Sequence, residues 1–325
     1  MKIKQAEETK MKRNHSLSLL FILTMISFNR SIAKFSFETV KNYFSFGKKE
    51  VAKIEKEYFL PHDGSIDLKN MDGSVEVCVE NGRKTVLVQA EKKARKEEQL
   101  QNIRVASRQD GHALSIRTSY IDPDTKGNVD YKLTLPASAD ITLSLSNSNG
   151  PIKVENIHGK LNAKTVRGPI TVKQAHNTIV SNVMKSGDII IEEPNNHVKG
   201  STRRGRIKII DSKQSVIAHT QNGNIELRAQ AVPPRSKIKL VNNYGRINLS
   251  LPHEVNSDLL ASTKLGTVTC QHDVTLKPRT TTLDSTAWKE FKRSVDGTIG
   301  KGQSQIVVHS EQSSIQITKA KPVTA

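Results

Sequence analysis

The chain has 325 residues, with 50 Lys and Arg against 32 Asp and Glu, for a formal net charge of +18. Aromatic residues make up only 4% and the hydrophobic set 35%, which excludes a multi-pass membrane protein and a core built on aromatic rings. Short runs of Ile, Val and Leu recur along the whole length and exclude a disordered chain, and the length allows one or two domains.

Lys10, Lys12 and Arg13 precede the mostly apolar run Leu17 to Phe28, and Ser31-Ile32-Ala33 puts small residues at both positions of a cleavage site. This predicts a secretory signal peptide over residues 1–33, because the run falls short of the about 20 residues a membrane-spanning helix needs. Met11 is an alternative start, an uncleaved N-terminal anchor is the alternative reading, and no Cys follows the run for a lipoprotein anchor. The expected location is extracytoplasmic (periplasm, cell surface or secreted), with no transmembrane span in the mature chain. Cleavage near Ala33 removes six basic and two acidic side chains, leaving 18 − 4 = +14. A surplus of that size favours polyanions or anionic surfaces as partners.

Residues 34–56 carry Phe35, Phe37, Tyr43, Phe44 and Phe46 among lysines and read as a linker or short amphipathic segment. Residues 57–137 read as an antiparallel β-rich cap. It holds a strand at Thr85 to Ala90, a charged helix-prone stretch from Lys92 to Gln101, and strands around Val105, Leu114 and Val129 to Leu135.

Residues 138–275 are dominated by an internal repeat. Gly150-Pro151-Ile152-Lys153-Val154 is followed by Gly168-Pro169-Ile170-Thr171-Val172 and by matching units at Gly187, Gly205, Gly223, Gly245 and Gly266. The glycine spacings are 18, 19, 18, 18, 22 and 21. Before each glycine, three columns recur two residues apart. One is apolar (Leu161, Ile179, Val198, Val216), one mostly small (Ala163, Ser181, Gly200, Ala218), and one mostly Thr or Asn (Thr165, Val183, Thr202, Thr220, Asn242, Thr263). Spacing by two places these columns on one face of a strand. Each unit thus supplies two short strands that cannot bury their apolar sides alone, and stacking the units gives a β-solenoid, an all-β fold of coils of roughly 18–22 residues. The glycine marks a tight corner, the Thr/Asn column is placed to bond backbone there, and the small column predicts two walls that lie close together.

The template also fits Ile66 to Val77, inside the cap, and Ile306 to Ile317. Residues 276–303, with Ala287 to Lys292, are expected to be an insertion holding a helical turn, and 304–325 the last coil and tail. Cys78 and Cys270 fall in strands of different coils and are expected to be unpaired thiols.

The recurring Gly-x-Ile-x-Val units, preceded by a strand, Gly73-Ser74-Val75-Glu76-Val77, a charged helix and strands ending near Leu135-Pro136, resemble a bacterial family of exported β-solenoid proteins. The family was first described as a domain of unknown function and later catalogued provisionally as adhesins. The resemblance spans roughly residues 57–320. It implies an extracytoplasmic, non-catalytic role in adhesion; no cofactor is expected. The family has no catalytic or binding motif to carry over.

The candidate chemistry is sparse. Glycoside hydrolysis needs two carboxylates held about 5–10 Å apart. The one tight acidic pair in the repeats is Glu192-Glu193, adjacent residues that point to opposite faces of a strand. His158 and His176 share a place in successive units and should stack about 5 Å apart, but two histidines without a Cys or carboxylate make a poor metal site, so no metal is expected. Thiol pairs at zinc spacing, a phosphate-binding Gly-Lys loop and a Ser-His-Asp motif are missing from the sequence. Outward positions of the second strand (Lys153, Thr171, Ile190, Lys208, Glu226) form no threonine ladder of the kind that would fit ice.

The best candidate site is a basic corner. Arg167, Lys185, Arg203, Arg204, Arg206 and Arg246 flank the glycines, with Lys264 beyond them, and stacking would line them along one edge at about 4.8 Å per coil. Such a ladder fits the anionic groups of envelope polyanions or acidic glycans. A solvated edge that prevents sheet-to-sheet growth is the plainer reading of the same charges. Nucleic acid is not expected, since interleaved aromatics are missing. The function expected is a non-enzymatic, adhesin-like surface or envelope module that binds a glycan or surface protein or serves a structural role. The alternative is polyanion binding through the basic corner, with a carbohydrate-active enzyme as the third reading.

Overall fold

The computed structural model describes residues 41–43, 50–277 and 292–320, all within one compact unit, Phe37–Ala325. The expected signal peptide and the helical turn of Ala287 to Phe291 lie outside the described residues. The fold is a two-walled β-solenoid. One wall stacks the longer strands that precede each glycine, such as Leu161–Arg167, Ile179–Ser186, Val198–Arg204 and Val216–Asn222. The other stacks the short strands that follow it, such as Ile152–Glu155, Ile170–Lys173, Ile189–Glu192 and Ile207–Ser212. Among the described residues each wall is a 13-stranded sheet, and the repeats within it run parallel and in register. Leu161 faces Ile179, which faces Val198, which faces Val216; Ile152, Ile170, Ile189 and Ile207 align in the same way in the second wall.

The core is the space between the walls. From Ile152 and Val154 through to Ile315 and Ile317, the two inward columns of the short-strand wall are wholly buried. Each such side chain contributes about 1.5–3 kcal/mol. Opposite them lies the small column. A Cβ on Gly200 would sit 3.7 Å from Ile207 and 3.8 Å from Ile189, so the walls do approach closely there.

The corners are tighter still. At Gly150, Gly168, Gly187, Gly205, Gly223 and Gly245 a Cβ would lie only 2.0–2.3 Å from the carbonyl oxygen of the preceding corner glycine. Five of the six also hold positive φ, from +111° to +155°. Each coil therefore closes over the backbone of the one before it, and only a residue without Cβ fits.

At both ends the order of coils in space departs from their order in the chain. The template coil Ser65–Glu80 lies between the coil Thr142–Glu155 and a further coil made of Ala113–Tyr120 and Gly127–Pro136. At the other end Ser304–Lys319, expected to be the last coil, is inserted between Lys237–Leu251 and Ser257–Cys270, and pairs in parallel with both. The outermost strands break the repeat. Glu50–Tyr58 and Val86–Ala94 add antiparallel to one wall, with Lys41–Tyr43 beyond them. Ile103–Asp110 pairs antiparallel with Ala113–Tyr120 in the other, and Ser294–Ile299 covers Ser257–Thr263 at the far end.

Three expectations need correction. Residues 50–56, taken as linker or amphipathic segment, belong to the strand Glu50–Tyr58. The helix expected from Lys92 is confined to Glu97–Gln101, because Lys92 to Ala94 extend the strand paired with Glu50–Tyr58; pairing across nine residues outweighs helix propensity. The cap is not purely antiparallel either, since two of its coils run parallel with the array. Cys78 and Cys270 are free and sit eight strands apart in the same sheet, far beyond disulfide reach.

The cap is closed by polar groups that mimic a coil. Gly73 packs against the Val129 carbonyl, where an array glycine would meet its predecessor. Asp130 accepts hydrogen bonds from the Ser74 N–H (2.7 Å), the Ser74 hydroxyl (2.8 Å) and Lys93 (2.9 Å). Burial works to raise its pKa, but these bonds outweigh burial and hold the carboxyl below its ordinary range. Tyr131 is buried against the Thr118 hydroxyl at 2.7 Å, and burial pushes its phenol up to about 12.

Two glycines should respond to alanine with opposite signs. Gly168→Ala forces a Cβ to 2.2 Å from the Gly150 oxygen at φ +132° and is expected to cost at least about 2 kcal/mol. Gly200→Ala meets only ordinary contacts and should stabilise by about 0.5–1 kcal/mol; chemical denaturation of both variants checks this. For Asp130, a folded pKa below the unfolded one means stability that is full at neutral pH and lost as pH falls through the folded value. Asp130→Asn should therefore lower the Tm at pH 7, and its gap to wild type should narrow below about pH 4. A gap unchanged from pH 7 to pH 3 would show that the charge contributes nothing.

Candidate functional site

The edge that carries the cations is built from the corner outward. Just before each glycine, the buried Thr or Asn reaches back to the previous corner. Thr165, Thr202 and Thr220 donate to the carbonyls of Gly150, Gly187 and Gly205 at 3.5, 3.1 and 3.2 Å. Asn147 donates to Gly73 at 2.7 Å and Asn242 to Gly223 at 3.3 Å. The column thus ties coil to coil and fixes the direction in which the flanking residues project. Val183 interrupts it, buried and without a hydroxyl to offer Gly168.

Arg167, Lys185, Arg203, Arg204, Arg206 and Arg246 are all exposed on this edge. The first five come from three successive coils: Arg167 lies beside Ser186, and Arg204 lies one coil beyond, beside Asn222. They are not equivalent. Arg206 is neutralised by Asp188, with a side-chain contact of 3.3 Å and a backbone N–H bond of 2.8 Å to the same carboxylate. Arg203 donates to Gln221 at 3.3 Å and Arg167 to Asn149 at 3.5 Å, both neutral partners. Among the described residues no carboxylate lies within ion-pair distance of Arg167, Lys185, Arg203, Arg204 or Arg246. The coil carrying Gln221, Asn222 and Asn224 separates Arg204 from Arg246, so the cations form one dense cluster and one outlier rather than an unbroken ladder. Lys264, at the far end, is held by Glu311 at 2.5 Å.

The other sequence candidates come apart or stay simple. Glu192 is paired with Lys173 at 3.0 Å, while Glu193 turns away at φ +52° and accepts from Gln174 at 3.0 Å. His158 and His176 do stack, with ring centroids 4.4 Å apart and planes 5° from parallel. Among the described residues no three His, Cys, Asp or Glu side chains gather in a metal-holding group.

One arrangement was invisible in the sequence. The inserted coil brings His309 beside Ser262, with Nδ1 3.0 Å from the Ser262 hydroxyl and Nε2 3.2 Å from Glu311. This is the order of nucleophile, base and orienting acid. Hydrogen bonds from Lys264 and His309 hold the Glu311 carboxyl below its ordinary range. The three lie on the outer face of a parallel pairing whose backbone N–H groups serve the strand ladder. Only the register of Ser262 with His309, 47 residues apart, creates the contact.

No family model matches the sequence, and no curated protein matches it. Solved structures with distant likeness include a provisionally described cell adhesion protein of Clostridium sporogenes, 10% identical, covering 88% of this chain and all of its own, with a TM-score of 0.25. A provisional adhesin of Bacteroides fragilis is 12% identical over 82% of this chain and 97% of its own, with a TM-score of 0.42. Another, of Parabacteroides distasonis, is 10% identical over 81% and 96%, with a TM-score of 0.34. The fold rests on the register of this chain's own strands, not on likenesses this distant.

The Thr column supplies a paired test. Thr220→Val should cost about 1 kcal/mol by leaving the Gly205 carbonyl without its side-chain partner, whereas Val183→Thr should gain up to about 1 kcal/mol by supplying one to Gly168. Equal destabilisation by both in urea melts would show that the column acts by volume and not by hydrogen bonding.

Proposed function

We propose that the chain is a non-enzymatic exported module that presents a rigid elongated surface at the cell envelope, in an adhesin-like binding or structural role. The observation that carries this reading is the unbroken, in-register stack of buried columns between two walls. It makes a stiff stack whose charged and most variable positions point outward. The signal peptide expected over residues 1–33 supports the extracytoplasmic location.

A second reading is favoured by a specific feature: the cluster Arg167, Lys185, Arg203 and Arg204, exposed and without carboxylate partners among the described residues. Cationic groups on three successive coils, about 4.8 Å per step with the Lys185 ammonium between the Arg167 and Arg203–Arg204 guanidinium levels, suit the repeated phosphate, sulfate or carboxylate groups of lipopolysaccharide or an acidic glycan.

An array of glycans and envelope polymers, probed at low and at physiological salt, tests both readings. Binding of an acidic polymer that weakens with salt and is lost in the Arg203→Ser, Arg204→Ser double variant is the expected result for the basic corner. Unchanged binding in that variant would remove the corner from the account. Release of reducing ends from any glycan would overturn the non-enzymatic reading.

A further inference from the structure

The cationic edge is also apolar. Met184, Tyr244 and Leu265 are 60, 51 and 65% exposed, among the most exposed large hydrophobic side chains described. All three stand at glycine corners, and each has a cation within two residues: Met184 precedes Lys185, Tyr244 is two before Arg246, and Leu265 follows Lys264. Pairing places them on the same edge as the arginine cluster. Met184 lies in the coil between Arg167 and Arg203, Tyr244 lies beside Asn222 and two coils past Arg204, and the coil of Leu265 lies two further on. On this edge Asp188 is engaged by Arg206 and Glu311 by Lys264, while Asp72, two coils before Arg167, accepts a hydrogen bond from Asn149.

A soluble polyanion gains nothing from exposed Met and Leu tips. A bilayer interface takes both kinds of group, since apolar tips enter the boundary between headgroups and acyl chains while long cationic side chains reach the phosphates. The corner from Arg167 to Tyr244 spans four coil steps, about 19 Å, along a stiff stack, so several such contacts can form at once. We infer that the glycine-corner edge is a docking surface for an anionic phospholipid bilayer. This deepens the polyanion reading of the same corner and rests on it.

Flotation of the mature chain, residues 34–325, with vesicles of phosphatidylglycerol and phosphatidylcholine, against phosphatidylcholine alone, tests the inference, with retention on heparin measured in parallel. The wild-type protein should float only with the anionic vesicles. The double variant Met184→Ser, Leu265→Ser should lose about tenfold in vesicle partitioning while keeping its heparin retention. Arg203→Ser with Arg204→Ser should weaken both. All four positions are exposed, and equal Tm values would verify that the variants fold. Heparin retention without flotation, or flotation indifferent to Met184 and Leu265, would overturn the bilayer inference and leave the polyanion reading standing. Loss of neither activity in the arginine variant would overturn both.

Discussion

The whole stack depends on how closely one corner lies over the next. Each corner glycine meets the carbonyl of its predecessor where a Cβ would otherwise be, and the residue three before it ties back to that same carbonyl in most coils. This approach sets the spacing of both walls at once, because each wall leaves from the corner. The inward columns then align without adjustment, and their burial supplies the stabilisation that a single coil lacks.

A stack of this kind leaves open edges, and the ends are where the pattern is abandoned. Both outer template coils are flanked by strands that do not repeat, several of them antiparallel. Ile103–Asp110, at one edge, exposes Arg104, Arg108 and Asp110, charges that discourage pairing with another chain. Inserting Ser304–Lys319 one place in from the end buries Ile306, Val308, Ile315 and Ile317 between two partners. At the edge the same side chains would have had one.

Outward positions are free of these demands, and there the coils differ. Along the short-strand wall Lys153, Thr171, Ile190, Lys208 and Glu226 are aligned yet chemically unlike. The glycine corner is the exception, where cations recur on three successive coils and Met184 stands among them. Rigidity and uneven decoration therefore coexist because separate sets of residues produce them.

Much of this was legible in the sequence. Period-two columns, the recurring glycine and the Thr/Asn positions are local features, and they specified the coil, its inward face, the close walls and the edge on which Arg203 and Arg204 lie. They recur in every coil, however, and so do not say which coil stacks on which. Gly245 and Gly266 match the template equally well, and nothing between them signals that Ser313 will lie in the gap. The position of the cap coils, the pairing of Arg206 with Asp188 and the contact of Ser262 with His309 were decided only by the tertiary structure. Interchangeable rungs are ordered by the cost of exposed edges and by the reach of the connections, and these are properties of the assembled stack.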